Sequence, residues 1–239
     1  MTRYVRYSAT THVGKVRSVN EDAILALPDQ QIWVVSDGMG GHEAGDFASR
    51  AVVDSVAMAA SNAEEPRDRM QAVRQAILHA NDVIVSEAAA RQVGTIGATV
   101  VALILTDGHF VAFWAGDSRL YRLRDGHIEM LTTDHSVVAA FVESGQMTWD
   151  EAELHPQSNA ITRAVGVSET LDLDKIRGEV WPGDRFLLCS DGLNKYATLS
   201  ELERAISGAP IENVSNKLLQ MALDGGGADN ISVIVVDVG

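Results

Sequence analysis

The chain has 239 residues and a hydrophobic fraction of 46%, which is enough apolar material for the buried core of one large domain. Its formal net charge of -14 would repel a phosphate backbone, so the composition argues against nucleic acid as a partner. The single cysteine, Cys189, excludes an intrachain disulfide framework and favours a reducing, cytoplasmic location.

The sequence predicts no membrane segment. The basic residues Arg3 and Arg6 are not followed by an apolar stretch, and no run of about 18 apolar residues occurs anywhere in the chain. We therefore expect neither a signal peptide nor a membrane span.

The first third of the chain predicts strands followed by helices. Residues 4 to 12 alternate in polarity, and residues 32 to 36 form an apolar, partly β-branched run that ends at Asp37-Gly38, so both predict strands. Ala-rich stretches at about 44 to 60 and 67 to 91 have apolar residues at three- and four-residue spacings. These stretches predict two long amphipathic helices.

The middle of the chain predicts hairpins. Residues 98 to 105 and 109 to 114 flank an Asp-Gly turn, and residues 118 to 123 and 127 to 131 flank another. A succession of hairpins indicates antiparallel sheets rather than a doubly wound fold. Residues 134 to 166 lack strong strand character, and we expect an irregular excursion there.

The last third predicts a strand at residues 184 to 190, two short helices within 199 to 223 and a final apolar strand at 231 to 238. The chain contains no internal repeat, Pro-rich linker or low-complexity tract. We therefore expect one domain over residues 1–239.

Acidic residues recur where the predicted strands begin or end, namely at Glu21, Asp22, Asp37, Asp117, Asp191 and Asp229. Any one of these carboxylates can be explained as part of a turn or a solvated corner. Together they are harder to explain, because carboxylates at the ends of neighbouring buried strands would repel one another unless cations lay between them.

The donor set favours a hard cation. It contains oxygen ligands without histidine or cysteine spacing, which suits Mg²⁺ or Mn²⁺ better than Zn²⁺. Two such ions roughly 3.5–4 Å apart lower the pKa of a bridging water and hold a phosphoryl group for in-line attack. Arg17 precedes the first acidic pair and has the planar fork that suits phosphate oxygens.

Five ordered segments resemble the signatures of the PPM family of metal-dependent protein phosphatases, also called PP2C, and in particular its small bacterial branch. They read Gly14-Lys15-Val16-Arg17-Ser18-Val19-Asn20-Glu21-Asp22, Asp37-Gly38-Met39-Gly40-Gly41-His42, Gly116-Asp117-Ser118-Arg119, Ser190-Asp191-Gly192-Leu193 and Asp229-Asn230. The resemblance extends from about residue 8 to residue 238. It implies an α+β fold, a four-layer αββα sandwich of two packed antiparallel sheets flanked by helices, with a metal centre at one end of the sheets.

The resemblance also implies ligands for two core ions. Asp37 would bridge them, Asp191 and Asp229 would complete the first site, and Glu21 with the Gly38 carbonyl would serve the second.

Four further roles follow from the same resemblance. Asp117 together with Asp191 matches a weaker third metal site, and Arg17 matches the phosphate-binding arginine. Asp22 would orient metal-bound water, and Asn230 would support the ligands from behind.

Two features bear on specificity and proton transfer. Residues 134–166 resemble the flap that overhangs the site in the bacterial branch, where it is well placed to select substrates. In the animal branch a histidine that directly follows the Asp-Gly pair is proposed as the general acid, but Met39 stands at that position here. His42 is the nearest substitute.

The resemblance implies hydrolysis of phosphoserine or phosphothreonine in proteins by a metal-activated water, without a phosphoenzyme. Cys189 lies in an apolar run without a Cys-x5-Arg loop, which argues against a cysteine phosphatase. We expect a monomer that acts on phosphorylated proteins and opposes a bacterial Ser/Thr kinase. Two alternatives stay open, a catalytically silent phosphoprotein-binding module and a phosphohydrolase of small metabolites.

Overall fold

The computed structural model describes residues 4–40, 43–63, 65–92, 94–106 and 108–239. The strands are β1 (Val5–His12), β2 (Asp22–Leu27), β3 (Ile32–Met39), β4 (Gly97–Ala98), β5 (Val100–Thr106), β6 (His109–Ala115), β7 (Arg119–Arg124), β8 (His127–Met130), β9 (Asp174–Glu179), β10 (Arg185–Cys189) and β11 (Ile231–Val238). The helices are α1 (Glu43–Asn62), α2 (Pro66–Arg91), α3 (Ala139–Glu143), α4 (Trp149–Ala152), α5 (Asp191–Asn194), α6 (Leu199–Ser207) and α7 (Ile211–Gly225).

The strands form two antiparallel sheets. One has the order β1-β11-β10-β7-β8, and the other has the order β2-β3-β5-β6-β9 with β4 beside β3. The strand pairings in both sheets are antiparallel. The two predicted hairpins are confirmed as β5–β6 and β7–β8, although Asp107 in the first turn lies outside the described residues.

Alternation along β3 explains how its sheet is covered on both faces. Ile32 and Val34 belong to a core shared with α1 and α2, whereas Trp33 and Val35 point into the core between the sheets. All four side chains are fully buried. Because successive side chains of a strand point to opposite faces, one apolar run supplies two layers of packing.

The same alternation operates in β10 of the other sheet. Leu187 and Cys189 pack with α6 and α7, whereas Phe186 and Leu188 join the core between the sheets. Phe186 meets Phe110 of the opposite sheet with ring centroids 5.2 Å apart. Full burial of such a side chain contributes about 1.5–3 kcal/mol. The expected αββα sandwich of two packed sheets flanked by helices is therefore the observed α+β fold.

The strand β9 was not predicted. Its sequence, DKIRGE, alternates between partly buried and exposed side chains, and it pairs only with β6 at the edge of its sheet among the described residues. Charged residues protect an edge strand from unwanted pairing but hide its apolar pattern. Gly178 leaves room for the ring of Phe110, because a Cβ at this position would stand 2.6 Å from that ring.

The flap, residues 134–166, is irregular as expected. It contains the short helices α3 and α4, the second of which begins with a capping box between Thr148 and Glu151. Two isolated bridges close it, one from Ser136 to Ile161 and one from Ala98 to Val165. None of the helices in the described part of the chain combines the length and apolar character needed to span a bilayer.

Candidate metal centre

The pairing of β2 with β3 brings two of the predicted carboxylates together. Asp22 is the register partner of Asp37. The backbone N–H of Asp37 donates to Thr99 Oγ1 at 3.0 Å, and the N–H of Thr99 donates to the Asp37 carbonyl at 2.8 Å. The sequence placed Asp37 and Gly38 just after the strand, but β3 continues to Met39 because Gly38 and Met39 pair with β4.

Gly38 allows three segments to meet beside these aspartates. A Cβ on Gly38 would overlap the carbonyl oxygen of Gly45 in α1 and would stand 2.6 Å from the carbonyl oxygen of Glu21. The Gly38 N–H donates to that Glu21 carbonyl at 3.1 Å. The carboxylate of Glu21 lies on the same side, since a Cβ on Gly45 would stand 2.6 Å from its Oε1. Glu21 and the backbone of Gly38 are therefore neighbours.

Asn230 fastens the loop that carries the first signature. Its Oδ1 accepts from the Glu21 N–H at 2.8 Å, and its Nδ2 donates to the carbonyls of Val13 and Val19, both at 2.9 Å. A Cβ on Gly192 would overlap the Asn230 carbonyl, so α5 also packs directly against this residue. Asn230 thus joins the loop, the beginning of β11 and α5.

Two basic side chains contact the remaining core carboxylates. Lys195 Nζ lies 2.6 Å from Asp191 Oδ2 and 3.4 Å from Asp229 Oδ2. Arg17 forms a two-pronged pair with Asp229, with Nε to Oδ1 at 2.9 Å and an NH2 to Oδ2 bond at 3.0 Å. Sequence reasoning missed Lys195 because it treated Asp191-Gly192 as a turn. Read as the start of a helix, the same residues place a lysine four positions after an aspartate, on the same helix face.

Asp117 completes the acidic group from the end of β6. It is 6% exposed and follows Gly116, whose φ of +112° is a conformation that glycine adopts readily. The Gly116 N–H donates to Nδ1 of His135 at 3.1 Å, which fixes the backbone just before Asp117. Burial, then the charge of Asp191 and then that of Asp134, raises the pKa of Asp117 well above its usual range.

The same crowding affects the β2–β3 pair. Burial raises the pKa of Asp22 to about 7, although hydrogen bonds with Ser232 and Ser190 act in the opposite direction. The Ser190 hydroxyl donates to Asp22 Oδ2 at 2.8 Å. Burial, followed by the charge of Asp22, raises the pKa of Asp37 well above its usual range, and Asp191 and other carboxylates of the cluster add to this effect. Bringing these carboxylates together in a buried site therefore costs free energy whenever they are ionised.

The donor chemistry fits a hard divalent cation. The cluster offers carboxylate and carbonyl oxygens, and buried Oδ1 atoms of Asp22 and Asp191 have no hydrogen-bond partner in the described part of the chain. Within the same residues, no three His, Cys, Asp or Glu side chains already converge on one ion position. Asp191 and Asp229 instead contact the tethered cations of Lys195 and Arg17.

The flap is tied to the cluster through Arg119, two residues after Asp117. Its NH2 lies 2.7 Å from Asp134 Oδ2 and 2.6 Å from Glu153 Oε1, and its guanidinium carbon lies 5.0 Å from the ring centroid of Trp149. Arg119 and Asp134 are 6% and 5% exposed, so this ion pair is buried. No feature of the sequence had indicated it.

The remaining predicted site residue, His42, lies outside the described residues. Its role as a general acid stays a prediction. Met39, which stands where the animal branch has histidine, is paired with Gly97 in β4.

Comparison with known proteins agrees with this architecture. The family model described as protein phosphatase 2C matches residues 11–224. PppA, described as a key regulatory component of T6SS in Pseudomonas aeruginosa, has a solved structure that superposes with a TM-score of 0.90 at 42% identity, covering 99% of this chain and 98% of that one.

Two further relatives are informative. The Mycobacterium tuberculosis serine/threonine protein phosphatase PstP is 34% identical over 100% of this chain, which spans 46% of the length of that relative. A structure of the PstP catalytic domain in complex with two manganese ions has a TM-score of 0.87 at 31% identity and covers 99% of both chains. Protein phosphatase PhpP of Streptococcus pneumoniae is 31% identical, covering 97% of this chain and 96% of PhpP. The chain belongs to the protein phosphatase 2C family.

Proposed function

We propose that this chain hydrolyses phosphoserine and phosphothreonine in proteins with Mn²⁺ or Mg²⁺ bound at the acidic cluster. The observation that carries the proposal is the packing of two buried carboxylates, Asp22 and Asp117, and the partly exposed Asp37 beside Asp191 and Asp229. Desolvation, followed by the charge of neighbouring carboxylates, raises the pKa values of the first three. A fold gains no stability from such crowding, so the cluster is best explained as a cation site. Two manganese ions in the related PstP catalytic domain support this choice of metal.

The residues divide into ligands and supports. We assign Asp37 to bridge two core ions, with Asp191 and Asp229 on the first and Glu21 with the Gly38 carbonyl on the second. Asn230 supports this set, since its hydrogen bonds fix the backbone of Glu21 and of the preceding loop.

The other two assignments concern a third ion and the substrate. Asp117 and Asp191 would hold a weaker third ion, because the two are close enough that the Asp191 charge, after burial, raises the pKa of Asp117. Bound ions supply an activated water and positive charge for the phosphoryl oxygens. Asp22, one oxygen of which is held by Ser190, would orient that water through the other. Arg17 would exchange Asp229 for the substrate phosphate, which its fork also fits.

The described residues favour water over a protein nucleophile. Cys189 is fully buried, and burial raises the pKa of its thiol, so a thiolate is disfavoured. Ser190 is also fully buried and its hydroxyl is engaged by Asp22 and by the Ser232 N–H. We therefore propose direct hydrolysis by water, without a phosphoenzyme.

The partners follow from the substrate class. We propose that the chain opposes a Ser/Thr kinase, acts as a monomer in the cytoplasm, and uses the flap of an otherwise single domain to contact the phosphoprotein. The likeness to PppA, a key regulatory component of T6SS, supports a regulatory role of this kind.

The proposal is tested by phosphate release from a phosphothreonine peptide. Wild-type protein is assayed with Mn²⁺ and with EDTA, and Asp37→Asn is assayed with Mn²⁺ beside the exposed-site control Asp172→Asn, whose side chain is 85% exposed. We expect turnover in the Mn²⁺-loaded wild type and control only, with a loss of about 10³-fold or more in Asp37→Asn.

Three results would contradict the proposal in different ways. A folded protein that binds Mn²⁺ and phosphopeptide but releases no phosphate would be a silent binding module. Faster turnover of small phosphorylated metabolites than of phosphopeptides would indicate a metabolite phosphohydrolase. A phosphorylated protein trapped in a single turnover would exclude direct attack by water.

A further inference from the structure

A cavity lies between the flap and the sheet that carries β7, beside Arg119. Its volume is about 370 Å³, within the range of small-molecule sites. The apolar part of its lining comes from three places, namely Val142 and Trp149 of the flap, Tyr121 and Met130 of the sheet, and Ala197 and Leu199 just before and at the start of α6. The chemistry proposed above uses none of these side chains.

One polar group in the lining has an unused hydrogen bond. Asn194 is 4% exposed, and its Oδ1 accepts from the Tyr121 hydroxyl at 3.3 Å and from the Cys189 thiol at 3.2 Å. The Tyr121 hydroxyl itself accepts from Arg119 at 3.3 Å, so its proton is left to donate to Asn194 Oδ1, which favours this orientation of the amide. Its Nδ2 is buried and has no hydrogen-bond partner among the residues that the structure describes. A buried donor of this kind is unfavourable until an acceptor reaches it.

The charges around the cavity restrict the ligand. Arg119 lines it, but its guanidinium is already engaged by Asp134 and Glu153. Asp150 also lines the cavity and accepts from the Leu199 N–H at 3.1 Å. The single positive charge is therefore outnumbered by carboxylates, and an anion would be repelled. A neutral acceptor is the group that satisfies Asn194 without this repulsion.

We propose that this cavity binds a small neutral molecule that has an aromatic or branched apolar body and one carbonyl oxygen, which accepts a hydrogen bond from Asn194 Nδ2. The ring of Trp149 and the side chains of Met130 and Leu199 enclose the apolar body. Asn194 stands one helical turn after Asp191 in α5, so the ligand contacts the element that carries a predicted metal ligand. The site needs no bound metal and no turnover.

The test compares two probes of the same shape. Benzophenone carries a carbonyl between two phenyl rings, and 1,1-diphenylethylene replaces the oxygen with a CH₂ group. Dissociation constants are measured by NMR titration of the ¹⁵N-labelled protein, with the side-chain amide of Asn194 as a local reporter. Wild-type protein should bind the ketone about fivefold to tenfold more tightly than the alkene. The Asn194 amide resonance should shift with the ketone only.

Variants locate the effect. Asn194→Leu should bind both probes equally, because the donor is lost. Leu199→Arg, at a position that is 37% exposed, should weaken both probes at least about tenfold, whereas Leu154→Arg, on the flap at 86% exposure, should leave both unchanged. Equal binding of the two probes to wild type would overturn the proposal, as would binding that Leu199→Arg leaves intact. Absence of saturable ketone binding to the folded wild type would overturn it as well.

Discussion

Replacing Lys195 with methionine should strengthen Mn²⁺ binding. The lysine contacts Asp191 at 2.6 Å and Asp229 at 3.4 Å, and the three side chains are 21%, 18% and 23% exposed. A net charge-assisted hydrogen bond contributes about 1.5–3 kcal/mol. Because the second contact is long and both acceptors keep some access to water, we assign about 2 kcal/mol to the pair of contacts. A cation that displaces the lysine must overcome this free energy, so its loss should lower the Kd for Mn²⁺ about thirtyfold.

The assay is isothermal titration of metal-free protein with Mn²⁺. Lys175→Met is the matched control, since it removes the same charge from an exposed position on β9. The metal-free Lys195→Met protein should also have a lower Tm than wild type, and saturating Mn²⁺ should close that gap. A Kd equal to that of wild type within about twofold would show that lysine and ion occupy the carboxylates together, and the displacement argument would then be wrong.

Three further predictions concern stability. Arg119→Met leaves the buried Asp134 and the partly buried Glu153 without their cation and should lower the free energy of unfolding by about 3–5 kcal/mol in urea denaturation. Arg50→Met, from an exposed i,i+4 pair, should cost about 0.5 kcal/mol at most. Gly38→Ala should lower the Tm markedly because of backbone overlap, and Gly208→Ala, where a Cβ meets nothing, should not; equal Tm values would refute the close approach. Burial lowers the folded-state pKa of His135, so the contribution of its neutral ring to stability should be complete above about pH 6.5 and decline below it. The Tm of a His135→Asn protein should therefore fall less than that of wild type as the pH is lowered below about 6.5. Parallel plots of Tm against pH for the two proteins would contradict the assignment.

The periodicity of the sequence predicts most of the fold because the apolar residues that form it are close together in the chain. Both long helices and both hairpins were recognisable from spacing and Asp-Gly turns. The strand β9 was not, since its charged edge sequence conceals its three partly buried positions. The short helix α5 was missed for a related reason: its first residues, Asp191-Gly192, are also a common turn pair.

The site residues fall into two similar groups: those that local sequence patterns indicate, and those that depend on contacts between distant segments. The aspartates could be selected from the sequence because they recur at strand ends, but the side chains that contact them could not. Lys195 required α5 to be recognised as a helix. The pairing of Arg119 with Glu153 joins residues far apart in the chain, and nothing in the composition of either segment specifies it.

The distribution of positive charge argues for where an ion would bind. Arg17 and Lys195 contact Asp191 and Asp229, which are two of the partly exposed members of the cluster. No ion pair among the described residues reaches Asp22 or Asp37, although burial and neighbouring carboxylates raise the pKa of both. The protein thus neutralises Asp191 and Asp229 with its own cations and leaves Asp22 and Asp37 without a cationic partner among the described residues. A divalent ion gains the most electrostatic free energy beside carboxylates that have no cationic partner. We therefore expect Asp37 to be the first ligand and the displacement of Lys195 to complete the site.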